Sequence, residues 1–248
     1  LAPDELLAGI ESAAPGTIVV GAGASEVGSV GEATVVGRSA AANNAVAGIV
    51  FGGLSIRTTV VQSAAPVGPW HVVTRAEGNR ILRLDGRSAV EVYLTGLPQL
   101  LRADPLEAIR RTRAAIADAD ASGPEPPHVV RRLLGADSES GALVVGDEVL
   151  PGSRFAIAVS DPVEARQRFA RALDDFASGG RLAGALYLDS VERGESLYGI
   201  ADLDSAYLRQ VLGDVAFAGF FSGVEIAPLA GRNRFHQASG VLVGFCED

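Results

Sequence analysis

The chain has 248 residues, a formal net charge of −9 and a hydrophobic content of 48%. This length and this composition provide a full core for one large domain or two ordinary ones. Because nucleic acids and anionic membrane surfaces attract basic faces, the acidic balance argues against both as partners.

The cysteine count and the N-terminal sequence indicate the compartment. Cys246 is the single cysteine, so no internal disulfide can form and a reducing compartment is expected. Asp4 and Glu5 stand where a signal peptide would carry positive charge. We therefore expect a soluble cytoplasmic protein. Since methionine is absent, we also expect Leu1 to lie downstream of the natural start.

Hydrophobic periodicity predicts an alternation of helices and strands. In chain order, these are a helix at 4–14, strands at 17–21, 45–51, 57–62, 71–75 and 80–84, helices at 88–101 and 104–118, strands at 142–145 and 155–160, a helix at 162–177, a strand at 183–188, a helix at 203–212, and strands at 215–221 and 240–245. Short turns between several strands favour antiparallel pairing over a strict βαβ series.

Three of the helices begin with one capping pattern, Ser or Asp followed three positions later by Glu. The cap oxygen accepts a hydrogen bond from the first turn, and the Glu reaches back to the N–H of the cap. The three pairs are Ser88 with Glu91, Asp104 with Glu107, and Asp161 with Glu164.

A Pro- and Gly-rich segment at 122–127 is the best candidate for a domain boundary, because its residues resist helix formation. We therefore divide the chain into domains at 1–121 and 122–248. The predicted fold class is α/β (α+β), with two lobes of mixed, largely antiparallel sheet and packed helices.

The segment 218–245 resembles the closing motif of the FIST C-terminal domain. That motif has a strand ending in Gly-Phe-Phe, then Gly-Glu-Ile, a Pro, Gly-Arg-Asn, an aromatic residue, a His and a last strand. The matching residues are Gly219, Phe220, Phe221, Glu225, Ile226, Pro228, Gly231, Arg232, Asn233, Phe235 and His236. Val224 departs from the motif, which usually has Gly before the Glu.

Two other segments resemble the same family. Residues 66–89 are similar to the end of the FIST N-terminal domain. Residues 184–194 resemble a part of the C-terminal domain in which Leu188, Asp189 and Ser190 replace a Cys-bearing stretch. The resemblance extends from about Leu6 to Phe245. It implies a FIST N-terminal domain that is only partly present.

The resemblance implies a bacterial sensory, signal-transduction module that binds a small molecule, such as an amino-acid-like ligand, and acts on a signalling protein. It also implies an alternative, since some bacterial relatives are haem-binding nitric oxide sensors. We expect a ligand to act by shifting how the two lobes sit. The predicted ligand-binding residues are Phe220, Ser222, Glu225, Arg232, Asn233 and His236, with Arg193 and Asp85 reaching the site from elsewhere.

The polar residues of the closing motif are open to structural and functional interpretations. Glu225 follows an apolar strand and needs a partner if it is buried, and Arg232 can supply a bidentate ion pair. That pair either pins the loop at 223–234 or binds the ligand. His236 is either a hydrogen-bonded core histidine or a contact to ligand or haem.

Catalysis finds little support in the sequence. Ser222, Glu225 and His236 could form a triad, but no Gly-x-Ser-x-Gly elbow accompanies them. Three scattered His and one distant Cys lack the spacing of a zinc site. We therefore expect no enzyme, no metal and no cofactor. Haem binding, and a hydrolase that uses Ser222 and His236, remain the alternatives.

Overall fold

A computed structural model of the chain describes residues 3–24, 33–37, 41–137 and 139–247. Helices in this part are α1 Pro3–Ala13, α2 Ala89–Gly96, α3 Pro105–Arg111, α4 Pro162–Ser178, α5 Glu195–Tyr198 and α6 Leu203–Leu212, with a 3-10 turn at Gln99–Leu101. Strands are β1 Gly21–Gly23, β2 Val35–Val36, β3 Ala41–Ala42, β4 Ile56–Gln62, β5 Ala64–Glu77, β6 Arg80–Leu84, β7 Arg87–Ser88, β8 Thr112–Ala117, β9 His128–Asp137, β10 Ala142–Val145, β11 Arg154–Ser160, β12 Leu182–Ser190, β13 Phe217–Ser222, β14 Val224–Leu229, β15 Arg232–His236 and β16 Ser239–Cys246.

The chain forms two compact units. Unit one consists of Leu1–Val61 and Arg166–Asp248, and unit two of Gln62–Ala165. The mixture of helices with largely antiparallel strands confirms the predicted fold class.

Unit two contains a sheet with the strand order β10-β9-β8-β11-β5-β6-β7. An additional antiparallel pairing of β10 with β6 brings the sheet back on itself, so these strands close into a ring. The core of this unit consists of buried side chains, among them Ile81, Leu143 and Phe155. Val92 and Tyr93 of α2 pack into the same core.

Unit one is built around a four-stranded sheet with the order β13-β12-β16-β4. Strand β12 runs parallel to β13 and antiparallel to β16. A second sheet in the same unit is antiparallel and has the order β1-β14-β15.

Side-chain alternation along β12 places two layers against the four-stranded sheet. Ala185 and Tyr187 pack in a cluster with Phe169 of α4 and Leu208 of α6. Leu186 and Leu188, which alternate with them, pack instead with residues of β1, β14 and β16. Because successive residues of a strand face opposite sides, β12 has helices on one face and the three-stranded sheet on the other.

The first half of the predicted capping pattern is confirmed at all three helices, because each cap oxygen accepts from the first turn. Asp161 Oδ1 accepts from the N–H groups of Val163 and Glu164 at 2.9 and 3.0 Å. Asp104 Oδ1 accepts from the N–H of Glu107 at 3.1 Å. The Ser88 hydroxyl accepts from the N–H of Glu91.

Several predicted elements differ from the structure. The strand expected at 17–21 is displaced to Gly21–Gly23, and the helix expected at 88–101 ends at Gly96, just before Pro98. The helix expected at 104–118 ends at Arg111, and Thr112–Ala117 form strand β8. Ala114 and Ala115 are fully buried in this strand, where small side chains fit between neighbouring strands. The strand expected at 45–51 is not formed, and Ile49, Val50 and Phe51 there are exposed, since an apolar pattern does not by itself provide a partner strand.

The two units differ from the predicted domains. The division expected at residue 122 falls between β8 and β9, which pair antiparallel, with Ala117 opposite His128. The Pro- and Gly-rich segment is therefore a connection between neighbouring strands of unit two.

Candidate ligand-binding site

A cavity of about 180 Å³ opens in unit one beside the last residues of β12. One wall is β13, the other includes the start of α6, and Tyr187 and Asp189 of β12 lie between them. The lining residues are Tyr187, Asp189, Gly194, Asp202, Leu203, Asp204, Ser205, Leu208, Phe217, Gly219, Phe220 and Phe221. Aromatic and aliphatic side chains thus surround a small number of carboxylates.

Two of these carboxylates are buried against one arginine. Arg193 has a fully buried side chain, with Nε 2.8 Å from Asp189 Oδ1 and Nη2 2.9 Å from Asp204 Oδ2. Its Nη2 also donates to the Tyr198 hydroxyl at 2.7 Å. The central carbon of the guanidinium lies 5.6 Å from the centre of the Phe169 ring and 5.7 Å from that of Tyr198. Contacts with two rings and two carboxylates hold this planar cation in one orientation.

The cluster is not fully satisfied by the described part of the chain. Asp204 Oδ2 accepts from the Tyr187 hydroxyl at 2.8 Å and from Arg193 at 2.9 Å. Asp204 Oδ1 and Arg193 Nη1 are buried and have no hydrogen-bond partner among the described residues, and the 2.8 Å approach of Arg193 Nε to Asp189 Oδ1 is an ion pair without hydrogen-bond geometry. Burial raises the pKa of Asp189 to about 7; Arg193 opposes this shift, and Asp204 adds to it. Burial therefore disfavours the ionised form of the Asp189 carboxylate.

Glu225 forms a second buried cluster on the other side of β12. Its side chain is inaccessible to solvent. Ser222 donates to Oε1 at 2.7 Å, and Ser239 donates to Oε2 at 2.8 Å. Burial raises the pKa of Glu225 to about 7, although the Ser222 and Ser239 hydrogen bonds favour the ionised form.

The expected Glu225–Arg232 pair is wrong. Strands β14 and β15 form a hairpin in which Glu225 is opposite His236, whereas Arg232 is opposite Leu229 at the turn. Four strand positions separate the two side chains, roughly 13 Å along the sheet. Arg193 is the arginine whose charge acts on Glu225.

The other predicted residues of the hairpin have structural contacts. Asn233 uses both ends of its amide: Oδ1 accepts from Val19 N–H at 2.9 Å, and Nδ2 donates to the Thr17 carbonyl at 2.8 Å. This pattern fixes residues 17–19 beside β15. His236 is fully buried, and its Nε2 lies 3.1 Å from the Ala227 carbonyl, so this nitrogen donates. Arg232 is exposed.

Phe220 and Asp85 lie in different surroundings. Phe220 lines the cavity and is 58% exposed. Asp85 belongs to unit two, where its carboxylate lies 2.7 Å from His71 Nδ1 and accepts from the Val72 N–H at 2.8 Å. Its contacts organise the turn before β7.

Comparison with known families identifies the chain. The model described as "FIST N domain" matches residues 2–87, and the model described as "FIST C domain" matches residues 89–228. The chain belongs to the FIST family. FIST domains are recognised as sensory, signal-transduction domains.

Curated relatives of this FIST chain come from mycobacteria. An uncharacterized protein of Mycobacterium bovis and one of Mycobacterium tuberculosis are each 29% identical over 239 residues. A second M. tuberculosis protein, also uncharacterized, is 28% identical over 242 residues. In each case the match covers 94% of this chain and 62% of the relative, so the chain spans less than two thirds of their length.

In the described part of this FIST chain, no group of three or more His, Cys, Asp or Glu side chains is suited to a metal ion. No helix of that part is long and apolar enough to cross a membrane.

Sequence reasoning missed the acidic half of the FIST site. Tyr187 and Asp189 lie in the segment 184–194, which the sequence indicated only by its resemblance, and Asp204 lies in the predicted helix at 203–212; no spacing groups the three with the closing motif. One signal was present: Tyr187 and Asp189 alternate at the end of an apolar strand, so they share a face. A carboxylate on a core-facing strand position requires a buried partner, and Arg193 lies four residues further on.

Proposed function

We propose that this chain is a non-catalytic sensory module that binds a small molecule in the cavity of unit one. The observation that carries the proposal is the combination of an aromatic-walled cavity with the buried carboxylates of Asp189 and Asp204. Ligand sites are typically apolar clefts with a few well-placed polar groups. The Arg193 network holds those polar groups in place before any ligand arrives.

The size of the cavity indicates the size of the ligand. Its volume of about 180 Å³ is slightly larger than an engineered cavity of about 150 Å³ that admits benzene. A ligand with one six-membered ring and a few further atoms, or a branched chain of similar bulk, matches this space.

Binding rather than turnover is supported by the state of Ser222 and His236. Both residues are fully buried. The Ser222 hydroxyl lies within hydrogen-bond distance of Glu225 Oε1 and of the Asp189 carbonyl, so its hydrogen is used internally. His236 Nε2 donates to the Ala227 carbonyl. A serine nucleophile needs access to a substrate and a free base beside it.

The same residues support a cofactor-free module over the haem alternative. The cavity lining contains no histidine. His236, which the sequence offered as a haem ligand, donates from Nε2 inside the hairpin. The net charge of −9 and the single cysteine support the accompanying proposals of no nucleic-acid or membrane partner and of a cytoplasmic location.

The proposal is tested by blocking the cavity. Ser205→Phe adds a ring to a half-buried lining position, and Ala206→Phe adds the same ring to the next, exposed position of α6, which does not line the cavity. A library of single-ring compounds is screened by saturation-transfer NMR against the native chain and both variants. We expect hits with the native chain and Ala206→Phe that are lost with Ser205→Phe.

Two results would contradict the proposal. One is a library without hits, or with hits that persist in Ser205→Phe. The other is steady hydrolysis of an ester such as p-nitrophenyl acetate that Ser222→Ala abolishes.

A further inference from the structure

We propose that the ligand of this cavity is a small organic ammonium ion, with its charged nitrogen at Asp204 Oδ1 and its apolar body against the aromatic wall. This inference rests on the proposed ligand-binding function and specifies the chemical class of the ligand.

The vacant hydrogen-bonding capacity of Asp204 is the first argument. Asp204 lines the cavity and is only 5% exposed. The hydroxyl of Tyr187 and the guanidinium of Arg193 both donate to Oδ2. Oδ1 is buried without a partner among the described residues. A buried acceptor without a donor is costly, so a ligand that brings an N–H to Oδ1 gains that free energy back.

Charge balance is the second argument. Two carboxylates, those of Asp189 and Asp204, face the single guanidinium of Arg193. The lining adds a third carboxylate, Asp202, and contains no basic side chain. An ammonium group supplies the missing positive charge. Burial is the main cause of the raised pKa of Asp189, and the neighbouring Asp204 charge adds to it.

An anionic ligand at Arg193 is the competing possibility, because Arg193 Nη1 is also buried without a partner in the described part of the chain. However, Arg193 is absent from the cavity lining, whereas Asp189 and Asp204 belong to it. An anion that entered the cavity would meet carboxylates first. The arrangement therefore favours a cation.

The remaining lining explains the apolar body. Phe217, Phe220 and Phe221 form the β13 wall, and Leu203 and Leu208 face them from α6. Aromatic faces attract cations as well as apolar groups, so a ring-bearing amine satisfies both parts of the cavity. Benzylamine has the required size and is protonated at neutral pH.

The experiment compares benzylamine with benzyl alcohol and benzoate, which keep the ring and change only the charge. Affinities are measured by NMR titration at pH 7.5 with the native chain, Asp204→Asn and Asp202→Asn. A hydrogen bond to a charged group contributes about 1.5–3 kcal/mol. We therefore expect benzylamine to bind the native chain at least about tenfold more tightly than benzyl alcohol, and benzoate to bind least.

The variants locate the contact. Asp204→Asn keeps the shape of the side chain and removes its charge, so the preference for amine over alcohol should fall by about tenfold while benzyl alcohol binding is unchanged. Asp202→Asn is the matched control, because Asp202 lines the cavity but is exposed, and its effect should be small. If Asp204→Asn fails to fold, the order of the three ligands on the native chain decides.

Each contrary outcome has one meaning. Benzyl alcohol or benzoate binding as tightly as benzylamine would overturn the ammonium inference and leave ligand binding in the cavity intact. An unchanged amine preference in Asp204→Asn would refute the role of Oδ1. Absence of binding by all three compounds would also overturn the inference; the proposed function fails only if the library screen with Ser205→Phe is negative as well.

Discussion

Replacing Arg193 with Met is the most direct test of the buried cluster beside the cavity. Arg193 is fully buried and pairs with Asp189 at 2.8 Å and with Asp204 at 2.9 Å. Met has a comparable length and packs well against aromatic rings, so the contacts with Phe169 and Tyr198 are largely kept. The variant therefore removes the charge and little of the packing.

The expected loss depends on pH. Removing one member of a buried ion pair costs about 3–5 kcal/mol in free energy of unfolding. Burial already raises the pKa of Asp189 to about 7, and loss of the guanidinium raises it further. Between the unfolded and folded pKa values only the folded state holds the proton, so stability falls as pH rises, by about 1.4 kcal/mol per pH unit. In the native protein this fall stops near the folded pKa, whereas in the variant it continues to higher pH.

We therefore expect Arg193→Met to cost about 4 kcal/mol at pH 8 and about 2.5 kcal/mol at pH 5.5, because the variant loses about 1.4 kcal/mol more than the native protein between pH 7 and pH 8. The measurement is urea unfolding followed by circular dichroism at both pH values. A triple variant that adds Asp189→Asn and Asp204→Asn leaves no buried charge in this cluster and should recover more than half of the loss. A cost under about 1 kcal/mol at pH 8, or a cost independent of pH, would refute the reasoning.

Three further predictions concern neighbouring parts of unit one. Burial raises the pKa of Glu225 to about 7, so the free energy of unfolding of the native protein should fall as pH rises from about 5 to about 7. Glu225→Gln should reduce this slope by about 1.4 kcal/mol per pH unit, measured by urea unfolding across that range. An unchanged slope would count against the prediction. Gly219→Ala should destabilise the chain by about 1–3 kcal/mol in thermal unfolding, because the added methyl group would overlap the Tyr187 carbonyl oxygen. Gly48→Ala is the control, since a methyl group there meets nothing within 4 Å. Benzylamine binding near pH 7 should release protons from Asp189, since a nearby cation lowers the pKa of its carboxyl group. Calorimetry in two buffers of different ionisation enthalpy measures this release. Equal binding heats in the two buffers would contradict the prediction.

Local signals predicted the helix starts well. The capping residues Asp104 and Asp161 form the expected hydrogen bonds because the pattern that identifies them is also the physical contact that starts the helix. Strands β6 and β10 have the bounds that the sequence indicated, since each is a short apolar run between turns.

The errors arise where tertiary contacts override local propensity. Residues 112–117 are rich in Ala and read as a continuation of α3. In the structure Ala115 is opposite Val130 of β9 and Ala156 of β11, and it is fully buried between them. A small side chain at that position suits a crowded sheet, but its partners are 15 or more residues away in sequence, and helix propensity contains no information about them.

At the candidate site too, a contact between residues close in sequence was predicted, whereas the grouping of residues distant in sequence was not. The closing motif contains Ser222 and Glu225, and the structure brings these two into contact. Asp204 and Asp189 reach the cavity from α6 and from the end of β12, so no contiguous motif could have grouped them with Phe220. Their signal is physical: Asp204 is a carboxylate in the predicted helix at 203–212, and Asp189 directly follows the predicted apolar strand at 183–188, so burial of either would require a donor.

The end of β12 connects the two clusters of the site. The Asp189 carboxylate belongs to the cavity side, while its carbonyl accepts from the Ser222 hydroxyl at 3.2 Å. When Glu225 is ionised, the Ser222 hydrogen is directed to its Oε1 at 2.7 Å; when Glu225 is protonated, that hydrogen is available to the Asp189 carbonyl. Burial is the main cause of the raised pKa of Asp189, and Glu225 is among the charges that add to it. A cation bound in the cavity, as proposed above, would act on the pKa of Asp189, and the Asp189 carbonyl is the group through which β12 contacts the Ser222–Glu225 cluster.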